Sequence, residues 1–241
     1  MKIVVIFAGI THGHSTSSVF KSKGKRNFLH CWPDHKRLII DPLIAAGHHV
    51  SVRVSTYAFE DEKFKNKFLE IVKPERVVIA NFWGSSARTT KVNSFQLFDP
   101  NEQVDFVIWS RADNHMHVKV TDMNINYSKF NFMFKERAHE EGGTDWWEQA
   151  KFTPDCLWMW PGAMTPLVYK SLIESFNWNN EDHSTEDPYH RVRSDSHNFY
   201  NYLVKNVPSN AIHFVEDAKY SAAKGNPFFR HCWDDLSEFS F

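Results

Sequence analysis

Four short apolar runs, separated by three segments with helical periodicity, constrain the fold of this chain more than any other feature. Lys2 to Ala8 is a β-branched run ending at Gly9, and it reads as a central strand followed by a loop. Val50 to Val54 alternates as a second strand and leads into Ser55-Thr56-Tyr57; Arg76 to Asn81 is a third strand, and Val104 to Ser110 a fourth. Between them, Pro33 to Ala46 has helical periodicity through Leu38, Ile39, Leu43 and Ile44, with Gly47 as its stop and Pro42 as an internal kink. Glu60 to Val72 is an amphipathic helix with Phe64, Phe68, Leu69 and Val72 on one face, and Thr89 to Phe98 is a further helix. Strands alternating with helices predict an α/β fold with a mostly parallel, doubly wound sheet.

The second half changes character. Strands are expected at Phe130 to Lys135, Asp155 to Trp160 and Ala211 to Val215, and helices at Thr165 to Phe176 and Ser196 to Val207. Asn226 to Trp233 is a closing aromatic segment. Thr11 to Lys25, His139 to Thr144 and Asn177 to Pro188 read as polar loops, the first two mobile. No repeat or long linker divides the chain. It is therefore expected to be a single domain over 1–241, with a nucleotide-binding half at 1–120 and an acceptor-binding half at 121–241.

Composition narrows the partners. Lys+Arg 28 against Asp+Glu 29 leaves no field that would favour nucleic acid or an anionic membrane. The apolar run Ile3 to Ala8 is far too short to span a bilayer. Cys31, Cys156 and Cys232 have no CxxC spacing and suggest neither a disulfide framework nor a zinc knuckle. With no secretory signal pattern, the expected location is the cytoplasm. The abundant aromatics (Trp 9, Phe 21, Tyr 7) mostly imply a large core, with some support for a carbohydrate ligand.

Familiar motifs are missing. Nothing matches GxGxxG after the first strand, Gly24-Lys25 is followed by Arg26 rather than Ser or Thr, and there is no GxSxG elbow. The pairs His12/His14 and His115/His117 are spaced to put two imidazoles on one face of a strand, but no HExxH accompanies them. Three loops instead converge at the carboxyl edge of the expected sheet, where ligands of open α/β sheets gather. These are Ala8-Gly9 with Arg26, then Thr56-Tyr57, then Arg111-Ala112-Asp113. Gly9 allows close approach of a ligand to the backbone. Arg26 can pair with a diphosphate, and Thr56 and Tyr57 can hold a ribose and stack on a base. Asp113 can bind Mn²⁺ (or Mg²⁺) against the diphosphate. Each has a plainer alternative as a strand end, a loop charge or a turn cap.

The order of these pieces resembles the small GT-A-type glycosyltransferases of large DNA viruses, in particular chlorovirus enzymes that build capsid-protein glycans. The resemblance lies in Phe7-Ala8-Gly9, Arg26-Asn27-Phe28 with Trp32, Ser55-Thr56-Tyr57 and Arg111-Ala112-Asp113, then Asp155 to Trp158 and the helix introduced at Asp195. It implies a GT-A-like domain, a UDP-sugar donor and a divalent metal on a DxD-like motif. One departure bears on the metal: Arg111 stands where the first carboxylate of a DxD would be, leaving Asp113. Asp105 cannot replace it from the same strand, because eight residues span roughly 26 Å.

The expected activity is a metal-dependent hexosyl- or pentosyltransferase that moves a sugar from UDP to a hydroxyl of a growing glycan. The acceptor would be a glycan or glycoprotein, a viral capsid protein among them, and the site of action the host cytoplasm if the chain is viral. For an inverting transfer Asp155 is the first candidate base, with a strand cap as its alternative; Asp195 is the second, with a helix N-cap as its alternative. Trp158 and Trp160 are acceptor-stacking candidates, and Lys91 is a candidate phosphate ligand or a solvated helix residue. A non-catalytic nucleotide- or sugar-binding module, and a metal hydrolase built on the His pairs, are the other classes.

Overall fold

The computed structural model describes residues 1–9, 12–14, 25–59, 62–80, 87–137, 145–177, 198–221 and 226–231. Its main sheet has seven strands: β1 (Lys2–Gly9), β2 (His49–Tyr57), β3 (Arg76–Ala80), β4 (Phe106–Arg111), β5 (Phe130–Phe132), β6 (Leu157–Pro161) and β7 (Ile212–Phe214). Their spatial order is β3-β2-β1-β4-β6-β5-β7, and β6 alone runs antiparallel to its neighbours. The first four strands follow the 3-2-1-4 order of a dinucleotide-binding sheet. This is the expected α/β architecture, with a Rossmann-like, mostly parallel half continued by strands of the second half.

β1 shows why the sheet is buried on both faces. Ile3, Val5 and Phe7 enter one core with Phe28, Trp32, Leu43 and Phe68. Val4, Ile6 and Ala8 enter the other with Trp109, Trp158, Leu172 and Leu203. A strand covered on both sides reads as a continuous apolar run, which is what Ile3 to Ala8 is. Helices α1 (Phe28–His35), α2 (Asp41–Ala45) and α3 (Glu62–Val72) cover the first face. On the second face lie α4 (Ala87–Asn93), α6 (Thr165–Asn177) and α7 (Phe199–Asn206), with the short α5 (Trp146–Ala150) preceding β6 in the chain.

Several boundaries differ from expectation. The helix expected from Pro33 begins at Phe28, because Phe28, Cys31 and Trp32 already bury one face of its first turns. A π-helical turn at Lys36–Ile40 joins α1 to α2. The Pro42 ring would crowd the Leu38 carbonyl in a regular α-turn and offers it no N–H, so the helix widens just before the proline. Gly47 ends the segment in the left-handed region, at φ 82°. The helix expected at Thr89 to Phe98 is α4 followed by a 3₁₀ turn at Ser94–Leu97. The strand expected at Phe130 to Lys135 stops at Phe132, and Lys135–Glu136 pairs separately with Lys219–Tyr220. Within the loop expected at Thr11 to Lys25, His12–His14 pairs antiparallel with Lys25–Asn27. The expected loop at His139 to Thr144 lies outside the described residues, as does all of the Asn177 to Pro188 loop except Asn177 itself.

Candidate functional site

In a 3-2-1-4 sheet the strand order reverses between β1 and β4, and the crevice beyond their carboxyl ends is where a ligand fits. Register places the expected loops there. Ala8 is paired with Arg111 across β1 and β4, and Gly9 with Thr56 across β1 and β2. The Ala112 N–H donates to the Ala8 carbonyl at 2.9 Å, so the Arg111-Ala112-Asp113 turn lies directly against the end of β1. Gly9 has φ 124°, a backbone conformation that L side chains rarely adopt, although a Cβ there would stand a permissive 4.0 Å from the Ala112 nitrogen. The torsion, not the space, requires glycine. Gly9→Ala is therefore expected to lower stability by about 1–3 kcal/mol, read as a fall in the midpoint of urea unfolding. An unchanged midpoint would contradict this strain.

The antiparallel direction of β6 adds a fourth contributor. Because β6 starts at the edge where β4 ends, Asp155 arrives beside Arg111. α4 supplies Lys91 from the second face, and the Ser55 hydroxyl donates to the Thr90 carbonyl at 2.7 Å to fix that helix on β2. The four side chains form one line, buried at Lys91, Asp155 and Asp113 and partly exposed at Arg111. Lys91 Nζ donates to Asp155 Oδ2 at 2.7 Å, and Arg111 Nη1 to Asp155 Oδ1 at 3.4 Å. Arg111 Nε and Nη2 donate to the two oxygens of Asp113, each at 2.9 Å. Lys91 Nζ also sits over the rings of Trp109 and Trp158, at 5.4 and 5.2 Å. Burial works against the Arg111 charge, but the carboxylates of Asp113 and Asp155 outweigh it and hold the guanidinium protonated well above the ordinary arginine range. The neighbouring Cys156 thiol is pushed up by burial and by the Asp155 charge, so it stays protonated and inert as a nucleophile.

Of the expected residues, Ala8, Gly9, Thr56, Arg111, Asp113, Asp155 and Lys91 come together here. Thr56 is buried and Tyr57, at the end of β2, is half-buried. Lys91 is not the solvated helix residue of the plainer reading: it is 3% exposed and ion-paired. Trp158 and Trp160 are core side chains, 2% and 1% exposed, and present no face to an acceptor. Trp158 stacks between Trp109 and Phe199, and Trp160 lies parallel to Phe130 at 5.8 Å. The Arg26 backbone pairs with Gly13, while its side chain, like the whole of Asp195, lies outside the described residues. Asp113 gives both carboxylate oxygens to the Arg111 fork, and no group of three His, Cys, Asp or Glu side chains suited to a metal occurs among the described residues. As it stands, this donor set does not fit a divalent cation.

Sequence reasoning missed the brace behind the turn. The His35 Nε2–H donates to the Ala112 carbonyl at 3.4 Å from inside an aromatic cage that includes Phe7 and Phe28. His115 reaches Asp34 through Nδ1 at 2.9 Å and the Cys31 thiol through Nε2 at 3.6 Å, tying α1 to the strand Asn114–Met116. That strand pairs in turn with Phe229–His231. Cys31 and Asp34 stand three residues apart on one face of a helix, a local signal, but nothing local announces a partner 81 residues away from Asp34. Burial lowers the His35 pKa from 6.5 to about 4, so the ring is neutral at physiological pH. Below pH 6.5 the unfolded chain takes up a proton that the folded chain refuses until about pH 4. Stability is thus fully present above this window and falls as pH drops through it, by about 3 kcal/mol in all. His35→Phe should flatten the slope of unfolding free energy against pH between those limits. A slope as steep as that of the parent would show that His35 does not carry it.

No protein-family model and no curated protein matches this sequence. Among solved structures, the glycosyltransferase GlyE of Streptococcus pneumoniae TIGR4 is similar at 11% identity and TM-score 0.45, over 89% of this chain and 45% of that one. Its apo form is similar at 7% identity and TM-score 0.41, over 91% of this chain and 45% of that one. The chain spans less than half the length of both matched structures.

Proposed function

We propose that this chain is a glycosyltransferase that takes a nucleoside-diphosphate sugar, a UDP-sugar by the resemblance above, and passes the sugar to a hydroxyl of a growing glycan. The observation that carries the reading is the placement of Gly9, Thr56 and the Arg111-Ala112-Asp113 turn side by side at the reversal point of the sheet. Gly9 would let the diphosphate approach the backbone, and Thr56-Tyr57 would face the ribose and base. The Arg111 side chain, 20% exposed, is a cation open to this edge and would take the charge building on the departing diphosphate.

Asp155 has a positioning role in this account rather than that of a base. Both of its oxygens are held by cations, Lys91 on one side and Arg111 on the other. Lys91 fixes Asp155, Asp155 orients Arg111, and Asp113 completes the fork. Of the two expected bases, Asp195 remains for the acceptor proton of an inverting transfer. A bound Mn²⁺ or Mg²⁺ would supply Lewis-acid charge next to Asp113, but only with the carboxylate turned out of the Arg111 fork, so no step here depends on it. A glycan or glycoprotein, a viral capsid protein among them, would be the acceptor. No helix among the described residues is long and apolar enough to cross a membrane.

The assay is UDP release from UDP-glucose, UDP-galactose and UDP-xylose, with and without Mn²⁺ and without acceptor. Slow release from one donor is expected. Binding of a donor with no release under either condition would replace the transferase with a nucleotide-binding module.

A further inference from the structure

A cavity of about 820 Å³ opens at the opposite edge of the sheet, where β4 begins and β6 ends. The six residues from Asp105 to Arg111 place it roughly 20 Å from the crevice described above. Its volume lies within the roughly 300–1,000 Å³ typical of sites for small molecules. Phe95, from the 3₁₀ turn after α4, Phe98, the residue that follows that turn, and Tyr169, from α6, give it an aromatic wall. The Phe95 and Tyr169 rings meet at 4.9 Å, and Tyr169 is 41% exposed. Gln96, Gln103, Asp99 and Asp105 supply a polar rim.

Charge decides which ligand suits such a wall. Three lining carboxylates, Asp99, Glu102 and Asp105, stand against three cations, Lys2, Arg53 and Arg76. Arg76 lies 3.6 Å from Asp99, Lys2 Nζ 2.8 Å from Glu102, and the Lys2 N–H donates to Asp105 at 2.7 Å. The lining itself offers no cation to an anionic ligand, and its carboxylates are already engaged by groups behind the wall, which leaves them poorly placed to hold a cationic one. A purely apolar one would strip water from the rim without replacing its hydrogen bonds. A neutral molecule with C–H faces and hydroxyl edges meets both demands: its faces lie on aromatic rings, amides give and accept hydrogen bonds, and carboxylates accept them. We propose that this cavity binds a neutral oligosaccharide, with its rings against Phe95 and Tyr169 and its hydroxyls on Gln96, Gln103, Asp99 and Asp105. The site is separate from the proposed transfer centre and stands whether or not the chain transfers sugar.

The test is calorimetric titration of the full chain with maltohexaose, cellohexaose and xylohexaose. At least one should bind saturably. Two variants at exposed positions, Tyr169→Ala and Ala163→Trp, the second filling the cavity, should each weaken that binding at least tenfold while the melting temperature and UDP-sugar binding stay unchanged. Failure of all three sugars to bind overturns the proposal, as does binding that both variants leave intact. Uptake of 1-octanol blocked by Ala163→Trp, with no hexaose bound, overturns it in favour of an apolar ligand.

Discussion

Replacing Asp155 with alanine is expected to cost about 3–5 kcal/mol of folding stability, because it strands a buried lysine. Lys91 is 3% exposed, and the Asp155 carboxylate at 2.7 Å is its anion; the nearby Trp109 and Trp158 ring faces offer only a weaker attraction. The loss corresponds to roughly 6–20 °C in melting temperature for a chain of this size. The cost belongs to the unpaired charge rather than to a favourable pair, since a buried ion pair gains little over an apolar replacement of similar volume. The double variant Lys91→Met with Asp155→Leu should therefore recover most of the stability lost by Asp155→Ala. If the double variant is as unstable as the single one, the two residues are not coupled in this way.

The second large effect concerns catalysis. Arg111→Lys keeps the charge but loses the fork that grips both oxygens of Asp113, and a single ammonium cannot also span to Asp155. If the guanidinium takes the charge on the departing diphosphate, this change should lower the rate of UDP release about 10²–10³-fold, the usual cost of losing one such donor. Stability should fall far less than in Asp155→Ala, because the carboxylates keep a cation. Lys91 and Asp155 act through Arg111, so Lys91→Met with Asp155→Leu should slow release while leaving the protein folded. A rate equal to the parent's in Arg111→Lys would remove Arg111 from the chemistry.

Those two predictions rest on contacts that were legible in the sequence to very different degrees. β1 and β4 were readable because both are buried on two faces, which leaves a continuous apolar run, and Gly9 marks where the first one ends. The joint position of Gly9, Thr56 and Arg111 followed from strand order alone. The direction of β6 did not, since an antiparallel strand carries the same apolar pattern as a parallel one. That direction brings Asp155 to the site, so the Lys91–Asp155 pair, 64 residues apart in sequence, was out of reach. The tryptophans misled for a related reason. An aromatic run after Pro154 suits a sugar platform or a core strand equally well, and here α6 and α7 cover the face of β6 that carries Trp158 and Trp160. Pro42 marks a disturbance in the sequence, but its effect spreads backwards into a π turn that begins at Lys36, six residues earlier.

The half-DxD reading depends most on what surrounds Asp113. In sequence it stands near one arginine; in the fold both of its oxygens are in that arginine's grip, and the loop that holds them is braced by His35 and tied through His115 to α1. The crevice is thus built around a paired cation rather than a vacant carboxylate. This is why Arg111, and not a metal, carries the proposed charge stabilisation.

The most direct test of that central claim is calorimetric titration of UDP, in the absence of divalent cations, into the parent protein and into Arg111→Lys. Saturable binding to the parent, weakened at least tenfold in the variant with the fold retained, is the predicted result. No binding to the parent, or equal binding to both, would contradict a nucleoside-diphosphate site organised by Arg111 at the junction of β1 and β4.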